Sequence, residues 1–115
     1  MSPKEVYEIL HGDYSAIFAA VRSEAVVSRL LKMLQNDKSM EKLAKGIALS
    51  DPEEAFRAVH TLKGVALNLH LDVLAARAID LTEILRPRTL IGYQNAYMAL
   101  TEEYNRTIQT IAKLN

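Results

Sequence analysis

The chain has 115 residues, half of them hydrophobic and 24% charged, so it is long and apolar enough for one folded domain and is excluded from the disordered class. Lys plus Arg equals Asp plus Glu at 14 each, which removes the basic excess that binding a nucleic-acid backbone requires. There is no cysteine for disulfide or thiol chemistry, no apolar run long enough to span a bilayer, and no signal-peptide form in MSPKEVYEIL; the expectation is a cytoplasmic protein with no membrane and no nucleic-acid partner.

Few aromatic residues, four glycines, three prolines and little β-branched alternation predict an all-α fold. Residues 3–10 read as a short helix, with Ser2 as cap, Pro3 at the first helical position and Val6, Ile9 and Leu10 on one face. His11-Gly12 ends it. Asp13 caps a second short helix, 14–21, with Ile17, Phe18 and Val21 inward. Ser23 opens 24–35, whose apolar face is Val26, Val27, Leu30, Leu31 and Leu34, and Gln35-Asn36-Asp37 breaks it. From Ser39 a short amphipathic helix follows on Met40, Leu43, Ala44 and Ile47.

Asp51-Pro52-Glu53-Glu54 is the strongest start signal in the chain. It combines an Asp cap, proline at the first helical position, an acidic first turn and Glu54 as the capping-box residue. The helix it opens runs to about Leu69. Asp72 caps the next, to about Arg86, with Leu71, Leu74, Ala78, Leu81 and Leu85 in core spacing, and the short connection makes the two an antiparallel hairpin. Pro87 stops that helix, and Thr89 or Leu90 begins the last, roughly 90–114, with Tyr93, Ala96, Tyr97, Leu100, Tyr104, Ile108, Ile111 and Leu114 inward or half-buried. The expected architecture is one domain over 1–115: a four-helix up-down bundle at 23–115 with short accessory helices in 1–22, and, lacking a long exposed apolar seam, a monomer.

The chain is organised around residues 57–71, RAVHTLKGVALNLHL. At about 100° per residue, Ala55, Val59, Leu62, Ala66 and Leu69 form one core stripe. His60 lies roughly 140° from its centre, on the outer face with Glu53, Phe56, Arg57, Lys63, Gly64 and Leu67. Gly64 inside a strong helical pattern costs about 1 kcal/mol relative to alanine, which points to something approaching the backbone closely. Phe56 and Leu67 are apolar on the outward side and suggest a docking patch; the alternative for Phe56 is to fold back under the N-terminal helices. Lys63 and Arg57 are suited to an incoming anion, although Arg57 also stands at ion-pair spacing from Glu53 and Glu54. His11 and His70 read as structural or surface residues, and with no third ligand in spacing no metal site is expected.

The run H-T-L-K-G-V-A, on a helix followed directly by an antiparallel partner, resembles the histidine phosphotransfer (HPt) domain of bacterial phosphorelays. The family pattern, His-x-Leu/Ile-Lys-Gly-x-Ala/Ser, is matched by His60, Leu62, Lys63, Gly64 and Ala66, and the approach EEAFRAVH is also family-like. The resemblance implies that His60 accepts a phosphoryl group from an aspartyl phosphate on a response-regulator receiver domain and passes it to another. An ordinary imidazole, with a pKa of about 6.5, offers a neutral nitrogen for this. Lys63 and Arg57 would offset the phosphoryl charge, Gly64 would leave room for the group, and Phe56 and Leu67 would pack against the receiver.

Receiver domains and a hybrid sensor histidine kinase are the implied partners. Magnesium would belong to the receiver, with no cofactor on this chain, because the sequence has no acidic cluster, P-loop or kinase nucleotide motif; no intrinsic kinase activity is expected.

Two departures from the family stand out. Where it often has Asn-Leu/Ile-Gly, this chain has Asn68-Leu69-His70, so the helix end needs a non-glycine residue in a left-handed conformation. Where several members place a glutamine to hydrogen-bond the imidazole, this chain has Thr82, with Glu83 as the neighbouring candidate for that support. A rival from another class is a helical adaptor or inhibitor that binds a receiver or kinase without carrying phosphate. A hydrolase or metal enzyme is disfavoured by the lack of a second carboxylate–histidine constellation.

Overall fold

The computed structural model describes all 115 residues and contains seven helices and no strand. They are α1 (Pro3–Leu10), α2 (Tyr14–Val21), α3 (Glu24–Leu34), α4 (Ser39–Ala48), α5 (Pro52–Asn68), α6 (Asp72–Leu85) and α7 (Gln94–Ile111). The long axis of the molecule is 41 Å, against 22 and 19 Å across. Successive helices from α4 to α7 pack as neighbours, and α1 leans on α7, α2 and α3. One cluster of 23 buried apolar side chains draws on all seven helices, so there is a single core.

The helix starts follow their capping chemistry, with corrections. Asp13, Ser23 and Asp51 accept from the backbone N–H of Ala16, Val26 and Glu54, as their positions predict. The reciprocal half of the expected box at Asp51 does not form: the Asp51 N–H donates to the Gly46 carbonyl, 2.7 Å away, where the chain folds back from α4. A complete capping box forms instead at α1, between Ser2 and Glu5. Asp72 is the first residue inside α6 and caps nothing; Leu71 holds the cap position without a side-chain bond, and the acid simply complements the helix dipole.

Four further expectations are corrected. Ile9 and Phe18, expected inward, are both 39% exposed, because α1 and α2 are short and bury only one narrow strip each. Ala44 is likewise exposed on α4. The last helix starts at Gln94 and not near Leu90, since the backbone turns left-handed at Arg88 and again at Gly92.

α5 is held on both sides. Toward α4, Gly46 lets the helices touch: a Cβ there would lie 2.7 Å from the Ala55 backbone nitrogen. Toward α6, His70 turns the chain with φ of 55°, the left-handed non-glycine residue expected at this helix end. The end of this hairpin is closed by the N-terminal helices. The Tyr7 hydroxyl donates to the Leu69 carbonyl at 2.6 Å, and the Asp13 N–H to the His70 carbonyl at 2.9 Å.

Candidate functional site

The stripe Ala55, Val59, Leu62, Ala66 and Leu69 is buried throughout, 7% exposed at most. That fixes the rotation of α5 and turns the opposite face outward. His60 stands exposed in the middle of the helix, and its imidazole makes no hydrogen bond with any other part of the chain. One turn on, Gly64 is open: a Cβ built there would meet nothing within 4 Å. No packing within the chain therefore asks for a glycine at this point. Leu67, a further turn along, is 47% exposed. Lys63 is half-buried on the side toward α6.

Phe56 departs from expectation. It is on the outward face of α5 but only 7% exposed, and it does not pack under the N-terminal helices. The segment after α6 covers it. The Arg88 guanidinium carbon lies 3.6 Å from the ring centroid, and that of Arg86 lies 5.6 Å from it. On the helix itself the Phe56 ring stands 5.7 Å from the His60 imidazole, tilted by 37°. An exposed phenyl ring beside the histidine is thus replaced by an arginine-covered one.

The charges around this ring form a connected set. Arg88 Nε donates to Glu53 at 2.9 Å and one Nη to the Arg86 carbonyl at 2.7 Å. Glu53 also pairs with Arg57 at 3.3 Å, the ion pair that helical spacing allowed for. Glu83 accepts two bonds from Arg86, at 2.8 and 3.0 Å. Those bonds hold the Glu83 carboxyl below its ordinary value, and the charges of Arg86 and Lys63 add to the effect. Three arginines, Arg57, Arg86 and Arg88, share two carboxylates here, Glu53 and Glu83, and Lys63 acts on Glu83 through its charge without an ion pair. This set carries more positive than negative charge.

Thr82 is not part of it. It is fully buried, and its hydroxyl donates back to the Ala78 carbonyl at 2.7 Å within α6. The proton expected to support the imidazole is already used. Glu83 is near the site but committed to Arg86. Arg86 and Arg88 escaped the reading of the sequence. Their only signal was the cationic R-P-R run just past a helix end that an antiparallel hairpin returns toward the start of α5.

An exposed histidine, with a lysine three residues on and an open glycine after it, thus stands on a helix packed between α4 and α6. A family model described as the Hpt domain matches residues 25–112, most of the chain, and the protein belongs to that family, whose members are phosphocarriers in two-component phosphorelays and not kinases. No curated protein and no solved structure gives a significant match. No helix is long and apolar enough to cross a membrane.

Proposed function

We propose that His60 is the phosphoacceptor of this domain and relays a phosphoryl group between receiver-domain aspartates. A ring nitrogen of the neutral imidazole attacks the phosphorus of an aspartyl phosphate. The N–P bond forms as the P–O bond to the aspartate breaks, and the aspartate departs as a carboxylate. The reverse step loads the next receiver. The observation that carries this reading is the pairing of a hydrogen-bond-free, exposed imidazole with an open helix surface one turn away at Gly64.

Lys63 and Arg57 supply positive charge to the phosphoryl oxygens, Leu67 offers an apolar contact to the docking receiver, and Phe56 acts as a wall beside the imidazole more than as a contact surface. Magnesium enters with the receiver, and this chain needs no cofactor of its own. A hybrid sensor kinase is the upstream source. In this reading residues 23–115 form a four-helix up-down bundle, and the domain works as a cytoplasmic monomer.

The test is transfer from a panel of phosphorylated receiver domains to the wild type and to His60→Gln. Acid-labile, base-stable label on the wild type alone is the expected result. Receiver binding that survives the substitution, with no label on either protein, would replace the carrier with the adaptor reading.

A further inference from the structure

We infer that Arg88 is a positioning residue for the phosphoacceptor: stacked on Phe56 and tied to Glu53, it clamps the phenyl ring that sets the orientation of the His60 imidazole. The inference rests on the phosphotransfer role of His60 for its kinetic consequence, but not for its geometry.

The imidazole needs some restraint if a ring nitrogen is to meet an incoming phosphorus in line, and no hydrogen bond supplies it. The expected donor, Thr82, is buried and bonded to the Ala78 carbonyl. What the ring does touch is Phe56, centroid to centroid at 5.7 Å. A phenyl ring one turn before an exposed histidine orients it only if the phenyl is itself fixed.

Arg88 does the fixing. Its guanidinium lies 3.6 Å from the Phe56 centroid, and its nitrogens are held by Glu53 and by the Arg86 carbonyl. Glu53 stands one turn before Arg57 and three residues before Phe56, so the arginine is anchored to the same helix whose ring it covers. The backbone of Arg88 is left-handed, with φ of 62°, a conformation unfavourable for a side chain with a Cβ. Glycine or asparagine would be easier there on backbone grounds alone. A long cation in that place is accounted for by what its tip does at Phe56 and Glu53.

The clamp also predicts a difference between arginine and lysine. A planar guanidinium can lie flat on a ring while bonding a carboxylate edge-on; an ammonium keeps the charge but not the flat contact.

The variants are Arg88→Asn, which suits the left-handed turn and leaves the fold intact, Arg88→Lys, and Glu53→Gln. The first readout is the side-chain χ1 coupling constants of His60 by NMR on unphosphorylated protein. The second is the rate of phosphoryl transfer from a phosphorylated receiver, with receiver affinity measured separately. The wild type should show one dominant His60 rotamer. Arg88→Asn should show rotamer averaging and a transfer rate about tenfold lower at unchanged receiver affinity, with Arg88→Lys and Glu53→Gln in between. A single rotamer kept in Arg88→Asn would overturn the clamp, as would full rescue by lysine, which would mark Arg88 as a charge alone. If no receiver labels even the wild type, the carrier reading fails while the NMR result still decides the clamp.

Discussion

Gly64 carries the clearest cost at the scale of single residues. Inside a helix it gives up about 1 kcal/mol relative to alanine, and nothing in the chain occupies the space a side chain would take. Gly64→Ala should therefore stabilise the domain by about that amount in thermal or urea unfolding. A larger residue such as methionine should also be tolerated by the fold and yet weaken receiver docking; equal receiver affinity in Gly64→Met would refute the access role. Lys63→Ala should slow phosphoryl transfer by roughly tenfold to a hundredfold without shifting the melting temperature, as loss of one charge-stabilising donor does. An unchanged single-turnover rate would remove Lys63 from the mechanism.

Residue-level reading of the sequence located His60, Lys63 and Gly64 because helical periodicity fixes which way each Cβ points. It misjudged Phe56 for a physical reason. The angle on a helix wheel says where a side chain starts, not what covers its end, and the cover is Arg88, 32 positions along the chain and outside any regular element. Thr82 failed similarly. It points into the core, 0% exposed, and its short hydroxyl satisfies itself on the carbonyl one turn back.

Among the elements, α5 is the rigid bar that presents the site, and its start is the most legible junction in the sequence. Asp51→Ala should cost about 1 kcal/mol of stability through loss of the bond to the Glu54 N–H, measurable by urea denaturation. Gly46 carried no such signal. Its importance is the close approach of α4 to α5, a tertiary fact that no periodicity encodes, and Gly46→Ala should destabilise by about 1–3 kcal/mol as the helices are forced apart. The start of α7 was misplaced because apolar spacing continues through Leu90 and Tyr93, while the left-handed turns at Arg88 and Gly92 interrupt the backbone beneath it.

For the molecule as a whole, the number and order of helices were readable from caps, breakers and apolar spacing, and the way α1 and α2 seal the far end of the α5–α6 hairpin was not. That seal runs through Tyr7, 1% exposed, whose hydroxyl is bonded to Leu69. Burial pushes the Tyr7 hydroxyl well above the usual tyrosine value. A tyrosine whose proton is held more tightly when folded contributes stability that is whole below its unfolded pKa of about 10 and is lost as pH rises beyond it. Tyr7→Phe should cost about 1–2 kcal/mol near neutral pH, and its deficit against the wild type should narrow in urea melts as pH rises above about 10. A gap that stays constant with pH would contradict the assignment.

The family match begins at residue 25, whereas Val6, Tyr7, Leu10 and Ile17 belong to the same core as α5. The unit that folds here is therefore larger than the stretch the family model matches. Grafting 25–112 into another signalling chain would transplant the chemistry without its lid, leaving the carbonyls of Leu69 and His70 without their N-terminal donors and four apolar sockets open to water. Portability of this module is governed by its first 22 residues, which contain none of the residues assigned to phosphate handling.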